Sequence, residues 1–171
     1  SDGASLWDNN FNANWVVSVA GPCGGFVMDG LLDAGAELLA SGPSLALWGA
    51  LTGESLYLAA TPTDSTGNSD RFLFADADST LTHVAPWAKS GIVPAWTRFL
   101  AAEGSNRWCG WFDANHTLIT GPGLRCFHGR VLEGLIDLDT GWAGAPLLPD
   151  LTLVATAGYG TYDGGALLTQ T

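Results

Sequence analysis

Positive charge is scarce in this chain. Six Lys and Arg stand against 17 Asp and Glu in 171 residues, giving a net charge of −11. So acidic a surface repels phosphate backbones, which argues against nucleic acid as a partner. Long apolar runs are missing too. With no stretch of about 18 apolar residues, no membrane span is expected. No leader opens the chain at Ser1, as in a secreted protein after cleavage, and a secreted, extracellular or cell-surface location is the expectation. Cysteine is limited to Cys23, Cys109 and Cys126, with no CxxC and no histidine at zinc-like spacing. Cys109 and Cys126 flank an expected hairpin and suit a disulfide in an oxidising compartment, leaving Cys23 unpaired or replacing one of them. The alternative is three small buried hydrophobes.

Catalytic signatures are equally thin. No GxSxG elbow or HExxH pair accompanies His83, His116 and His128. Glu133 and Asp137 fall on one face of an expected strand, roughly 13 Å apart by strand rise. That is wider than paired glycosidase carboxylates, and an outward-facing acidic stripe is the expectation. The chain is therefore read as a non-enzyme.

What is abundant is glycine, at 23 residues, and apolar side chains, at 47%. That mixture suits one all-β domain with many turns, and the length is sufficient for a core. Leu45, Leu47, Leu56 and Leu58 recur at period two around Gly53-Glu54, the clearest hairpin. Further strands are expected at Trp15–Ala20, Arg71–Ala75, Arg107–Asp113, Arg130–Leu138 and Leu151–Tyr159. Asn115–Thr120 and Leu124–His128 are expected to pair across Gly121-Pro122-Gly123. Trp96, Phe99, Leu100 and Glu103 fall at helical spacing between Pro94 and Gly104, so one short helix is expected there. The fold expected is a two-sheet antiparallel β-sandwich with one short helix in a long connection.

Several phrases, taken in order, carry a resemblance. They are DGLLDAGAELLAS (Asp29–Ser41), LWGALTGESLYLAAT (Leu47–Thr61), NSDRFLFAD (Asn68–Asp76) and PWAKSGIVPAW (Pro86–Trp96). FLAAEGSNRWCGWFDA (Phe99–Ala114), VLEGLIDL (Val131–Leu138) and YDGGALL (Tyr162–Leu168) complete the set. The pattern resembles the DOMON-like superfamily, which includes carbohydrate-binding modules of family nine. The resemblance runs from about Phe26 to Thr171 and leaves Ser1–Gly25 uncovered. It implies a jelly-roll-like sandwich, sugar binding by aromatic side chains and, in some members, structural calcium.

No pair of sandwiching tryptophans is matched residue by residue, so the site residues come from chemistry. The stretch Trp87–Trp111 holds four of the eight tryptophans. An indole offers a flat, rigid surface for the apolar C–H face of a pyranose. Trp87, Trp96, Trp108 and Trp111 are the candidate stacking residues, with His83, Lys89, Asn106 and Arg107 as polar partners. Strand alternation puts Trp108 and Trp111 on opposite faces. Calcium, a hard cation seeking six to eight oxygens, has candidate ligands in Asp29 and Asp33, Asp76 and Asp78, and Asp163, with Asp163 beside Asp29 favoured. Ordinary turn formation explains the same Asp-Gly pairs. The expected partner is a polysaccharide or oligosaccharide. The alternative is a structural domain that assembles with copies of itself or a cell-surface partner by strand pairing.

Overall fold

A computed structural model describes residues 25–42, 45–52, 55–62, 70–75, 82–84, 92–94, 98–104, 106–137 and 140. The strands expected at Trp15–Ala20 and Leu151–Tyr159 lie outside them. The described residues form eleven strands and no helix. β1 (Glu37–Ser41), β2 (Leu45–Leu51), β3 (Ser55–Pro62), β11 (Leu132–Asp137) and β10 (Leu124–His128) make a five-stranded antiparallel sheet in the order β1-β2-β3-β11-β10. A four-stranded antiparallel sheet runs β4 (Arg71–Ala75), β7 (Arg98–Ala102), β8 (Cys109–Asp113), β9 (Leu118–Ile119). A small ribbon pairs β5 (Thr82–Val84) with β6 (Ile92–Pro94). The protein is an all-β sandwich of two antiparallel sheets.

The leucine periodicity sets the core. Leu51 pairs with Leu56, and the hairpin closes at Thr52, whose hydroxyl accepts from Ser55 N–H at 3.0 Å. Leu45, Leu47, Leu56 and Leu58 therefore share one face, and all are buried between the sheets. β1 carries a bulge between Leu38 and Ala40. The extra residue, Leu39, packs over Gly49, where a Cβ would lie 2.7 Å from its Cδ1. Leu73, Leu100, Ala102 and Trp111 answer from the smaller sheet. Trp111 lies across Gly134, where a Cβ would meet its indole at 2.7 Å and Leu100 at 2.8 Å. Only a residue without a side chain admits the ring.

The other face of each sheet also carries buried apolar side chains. On the small sheet Phe72, Phe74, Phe99, Ala101 and Phe112 form a second cluster, with Phe99 and Phe112 stacked at 5.1 Å. Each such ring contributes roughly 1.5–3 kcal/mol by leaving water. This settles residues 98–102 as strand rather than the expected helix. Phe99 is buried in the aromatic cluster and Leu100 in the core between the sheets, and only a two-residue period serves both faces. On the large sheet, residues 26–36 form an irregular strap. Its Phe26, Met28, Leu32 and Ala36 pack on Ala50, Tyr57, Ala59, Val131 and Leu135. Phe26 stacks on Tyr57 at 4.7 Å.

The hairpin expected across Gly121-Pro122-Gly123 does not form. β9 pairs back onto β8, while β10 pairs with β11 in the other sheet. The glycine-proline segment is a link between sheets. Asp137 N–H fastens it by donating to Gly123 C=O at 2.7 Å.

Candidate functional site

Trp108 and Trp111 diverge, as parity along β8 requires. Trp111 is 2% exposed, and its Nε1–H donates to Arg125 C=O of β10 at 3.0 Å. It is a bridge between sheets and closed to a ligand from solvent. Trp108 is 40% exposed, immediately before β8, on the side of the small sheet that carries Phe112. Its ring rests against Phe112 at 5.7 Å, tilted by 50°. Leu118, 52% exposed, lies beside it. The two side chains meet over Gly110, where an added Cβ would lie 2.8 Å from Leu118 Cδ1 and 3.3 Å from the indole. Phe112 and Leu118 are direct cross-strand partners. The result is an apolar shelf with an indole at its rim and a packed aromatic floor beneath.

The loop that presents Trp108 is tied to itself. Glu103 N–H donates to Trp108 C=O at 3.0 Å, and Trp108 N–H donates to Asn106 Oδ1 at 2.8 Å. Asn106 Nδ2 in turn donates to Glu103 Oε2. Arg107, at the tip, adopts φ 62°, a left-handed conformation that costs a non-glycine residue roughly 1 kcal/mol or more. The loop thus presents an amide, a carboxylate and a guanidinium close in sequence to the exposed indole. Asn106 and Arg107 are two of the expected polar partners; Glu103 was expected only as part of the short helix.

A second tight turn follows β8. Asp113 Oδ1 accepts from Asn115 N–H and Thr117 N–H, both at 2.8 Å. The Thr117 N–H holds the Asp113 carboxyl below its usual range. This turn carries His116, exposed and at φ 63°, its ring edge-on to Phe99 at 6.0 Å.

Beneath the Trp108 loop lies a residue the sequence reading missed. His128 is 5% exposed, and its Nδ1 has no hydrogen-bond partner among the described residues. Burial pushes its pKa down, and Arg71 and Arg107 push the same way. Hydrogen bonds to the backbone of Trp108 and Glu103 act in the opposite direction. Leu124, Cys126 and His128 alternate on one face of β10, and that parity was the available signal.

Of the other expected stacking and polar residues, Trp87, Lys89 and Trp96 lie outside the described residues. His83 lies in β5, of which only the backbone is described. Among the expected calcium ligands, Asp76, Asp78 and Asp163 are likewise outside. Asp29 Oδ1 accepts from Leu31 N–H at 2.9 Å, and Asp33 Oδ2 accepts from Val27 N–H at 3.0 Å. Both carboxylates fold the strap. Among the described residues no group of three or more His, Cys, Asp or Glu is arranged to hold a metal.

Glu133 is the main surprise. It is 0% exposed rather than part of a solvated acidic stripe. The strap covers it: Glu133 Oε2 accepts from Gly30 N–H at 2.5 Å and Oε1 from Tyr57 O–H at 2.8 Å. Burial raises its pKa, against the two hydrogen bonds, and Asp29 and Asp33 raise it further. Burial likewise holds the Tyr57 phenol well above its ordinary range. Gly30, at φ 82°, crosses Gly129 so closely that a Cβ on either would lie 2.8 Å from the other's Cα. Nearby, Leu31, Leu32, Thr61, Pro62, Arg130 and Val131 line an open pocket of about 410 Å³. None of its described lining residues is a tryptophan.

The chain matches no family model, no curated protein and no solved structure. Among the described residues no helix is long and apolar enough to cross a membrane.

Proposed function

We propose that this protein is a non-catalytic carbohydrate-binding domain of a secreted protein, and that Trp108 is its principal stacking residue. One observation carries the reading. A large indole is held 40% exposed by a loop whose own hydrogen bonds fix it in place. Indole exposed at this cost in hydration is stabilised when a pyranose C–H face covers it. Asn106 and Arg107, exposed in the same loop, supply donors for sugar hydroxyls. The phrases that resemble the DOMON-like superfamily support the same class.

The test is binding to immobilised polysaccharides and a glycan array. Wild-type chain is expected to be retained by at least one glycan. Trp108→Ala is expected to lose about tenfold or more in affinity, since stacked aromatic contacts at a binding centre contribute about 1.4 kcal/mol or more. Its melting temperature should stay close to wild type, because the ring is surface-exposed. Absence of any bound glycan, or unchanged affinity in Trp108→Ala, would remove the reading.

A further inference from the structure

We infer that Cys109 and Cys126 are an oxidisable pair whose disulfide staples the two sheets of the sandwich together. Cys109 belongs to β8 in the small sheet and Cys126 to β10 in the large one. Their sulfur atoms lie 3.2 Å apart as free thiols, with Cys109 Sγ–H donating to Cys126 Sγ. A disulfide needs about 2.05 Å, an approach of roughly one ångström that side-chain rotation can supply.

The backbone on either side is held together independently of it. Trp111, two residues beyond Cys109, donates to the carbonyl of Arg125, the residue before Cys126. Cys126 faces Gly134 in the register of β10 on β11. Gly134 is also the position over which Trp111 lies. The two thiols therefore sit in a seam whose spacing is set by a buried indole and does not depend on the bond itself. Both are partly exposed, so an oxidant in solution reaches them.

The hydrogen bond from Cys109 Sγ–H favours a thiolate at Cys126 and lowers its pKa. With a small-molecule disulfide such as oxidised glutathione, that thiolate attacks one sulfur and expels one glutathione thiolate. Cys109 then gives up its proton and attacks the Cys126 sulfur of the mixed disulfide, expelling the second. One external disulfide is reduced to two thiols as two protein thiols become one disulfide.

The experiment incubates the full chain with oxidised glutathione, alkylates the remaining thiols and maps the peptides by mass. The expected product is one linked peptide pair containing Cys109 and Cys126, with Cys23 alkylated. The oxidised chain should melt about 6–12 °C above the reduced one, as closing a loop of this length implies. That rise should persist in Cys23→Ser and vanish in Cys126→Ser. Alkylation of both Cys109 and Cys126 after oxidation, a bond from either to Cys23, or a linked pair without a rise in melting temperature would each overturn the inference. The mass map is read on the wild-type chain, so it decides the matter even if Cys126→Ser fails to fold.

Discussion

Glu133 illustrates how far a single side chain can depart from its local pattern. Its position on β11 gives the parity of an outward-facing residue, and outward in a two-layer sandwich ordinarily means wet. Here the outer face is roofed by the strap, and the carboxylate becomes the acceptor for Gly30 N–H and Tyr57 O–H. Glu133→Ala removes both acceptors at once and is expected to destabilise the fold by about 2–4 kcal/mol, measured by urea unfolding. Glu133→Gln keeps one acceptor and should cost about 1–2 kcal/mol. Parity was legible in the sequence, but the roof was not. The strap's Asp29-Gly30 reads as turn chemistry, and nothing local says which sheet face the turn folds across. The same holds for Trp108 and Trp111. Alternation separates them, but it does not say which one faces solvent when both faces of the small sheet are lined with apolar side chains.

At the scale of elements, β7 and β9 show why periodicity alone misleads. Arg98–Ala102 is buried on both faces, so its apolar residues run on without alternation. Such a run satisfies a helical template as readily as a strand template. Gly121-Pro122-Gly123 announces a reversal of direction, but which strand the chain meets afterwards depends on the sheet it enters. The β2–β3 hairpin was legible because leucine parity and a two-residue turn agree there. β11 was legible from alternation alone, and its Gly134 supplies a sharp test of sheet-to-sheet packing. Gly134→Ala places a methyl group against Trp111 and Leu100, both fixed in the core. It is expected to cost about 1–3 kcal/mol, read from the denaturation midpoint at an unchanged slope.

For the whole molecule, two buried titratable groups set opposing responses to pH. The folded state raises the pKa of Glu133, so the stability this adds is complete below the ordinary carboxylate range and is lost as pH rises through the folded value. It lowers that of His128, so that contribution is complete above 6.5 and is lost as pH falls through the depressed value. Between the ordinary carboxylate range and pH 6.5 the two act in opposite directions in the wild type. Relative to wild type, Glu133→Gln should lose more melting temperature on acidification and His128→Gln less. Parallel curves for all three proteins would show that neither group titrates in that window. The architecture as a whole was legible from glycine content and short regular strands. The spacing of Cys109 and Cys126 suggested their pairing, but as flanks of a hairpin that does not form; the seam between β8 and β10 was not legible, because Trp111 and His128 meet their partners only across the gap between sheets.

The strap over the large sheet has one more consequence. Phe26, Met28, Leu32 and Ala36 supply the lid of an apolar layer that includes Tyr57 and Leu135. A shortened chain starting at Glu37 would retain every described strand of both sheets, yet it would leave that layer bare and the Glu133 carboxylate without its Gly30 partner. The folding unit therefore reaches ahead of β1. Anyone trimming this protein by counting strands would be cutting into its interior.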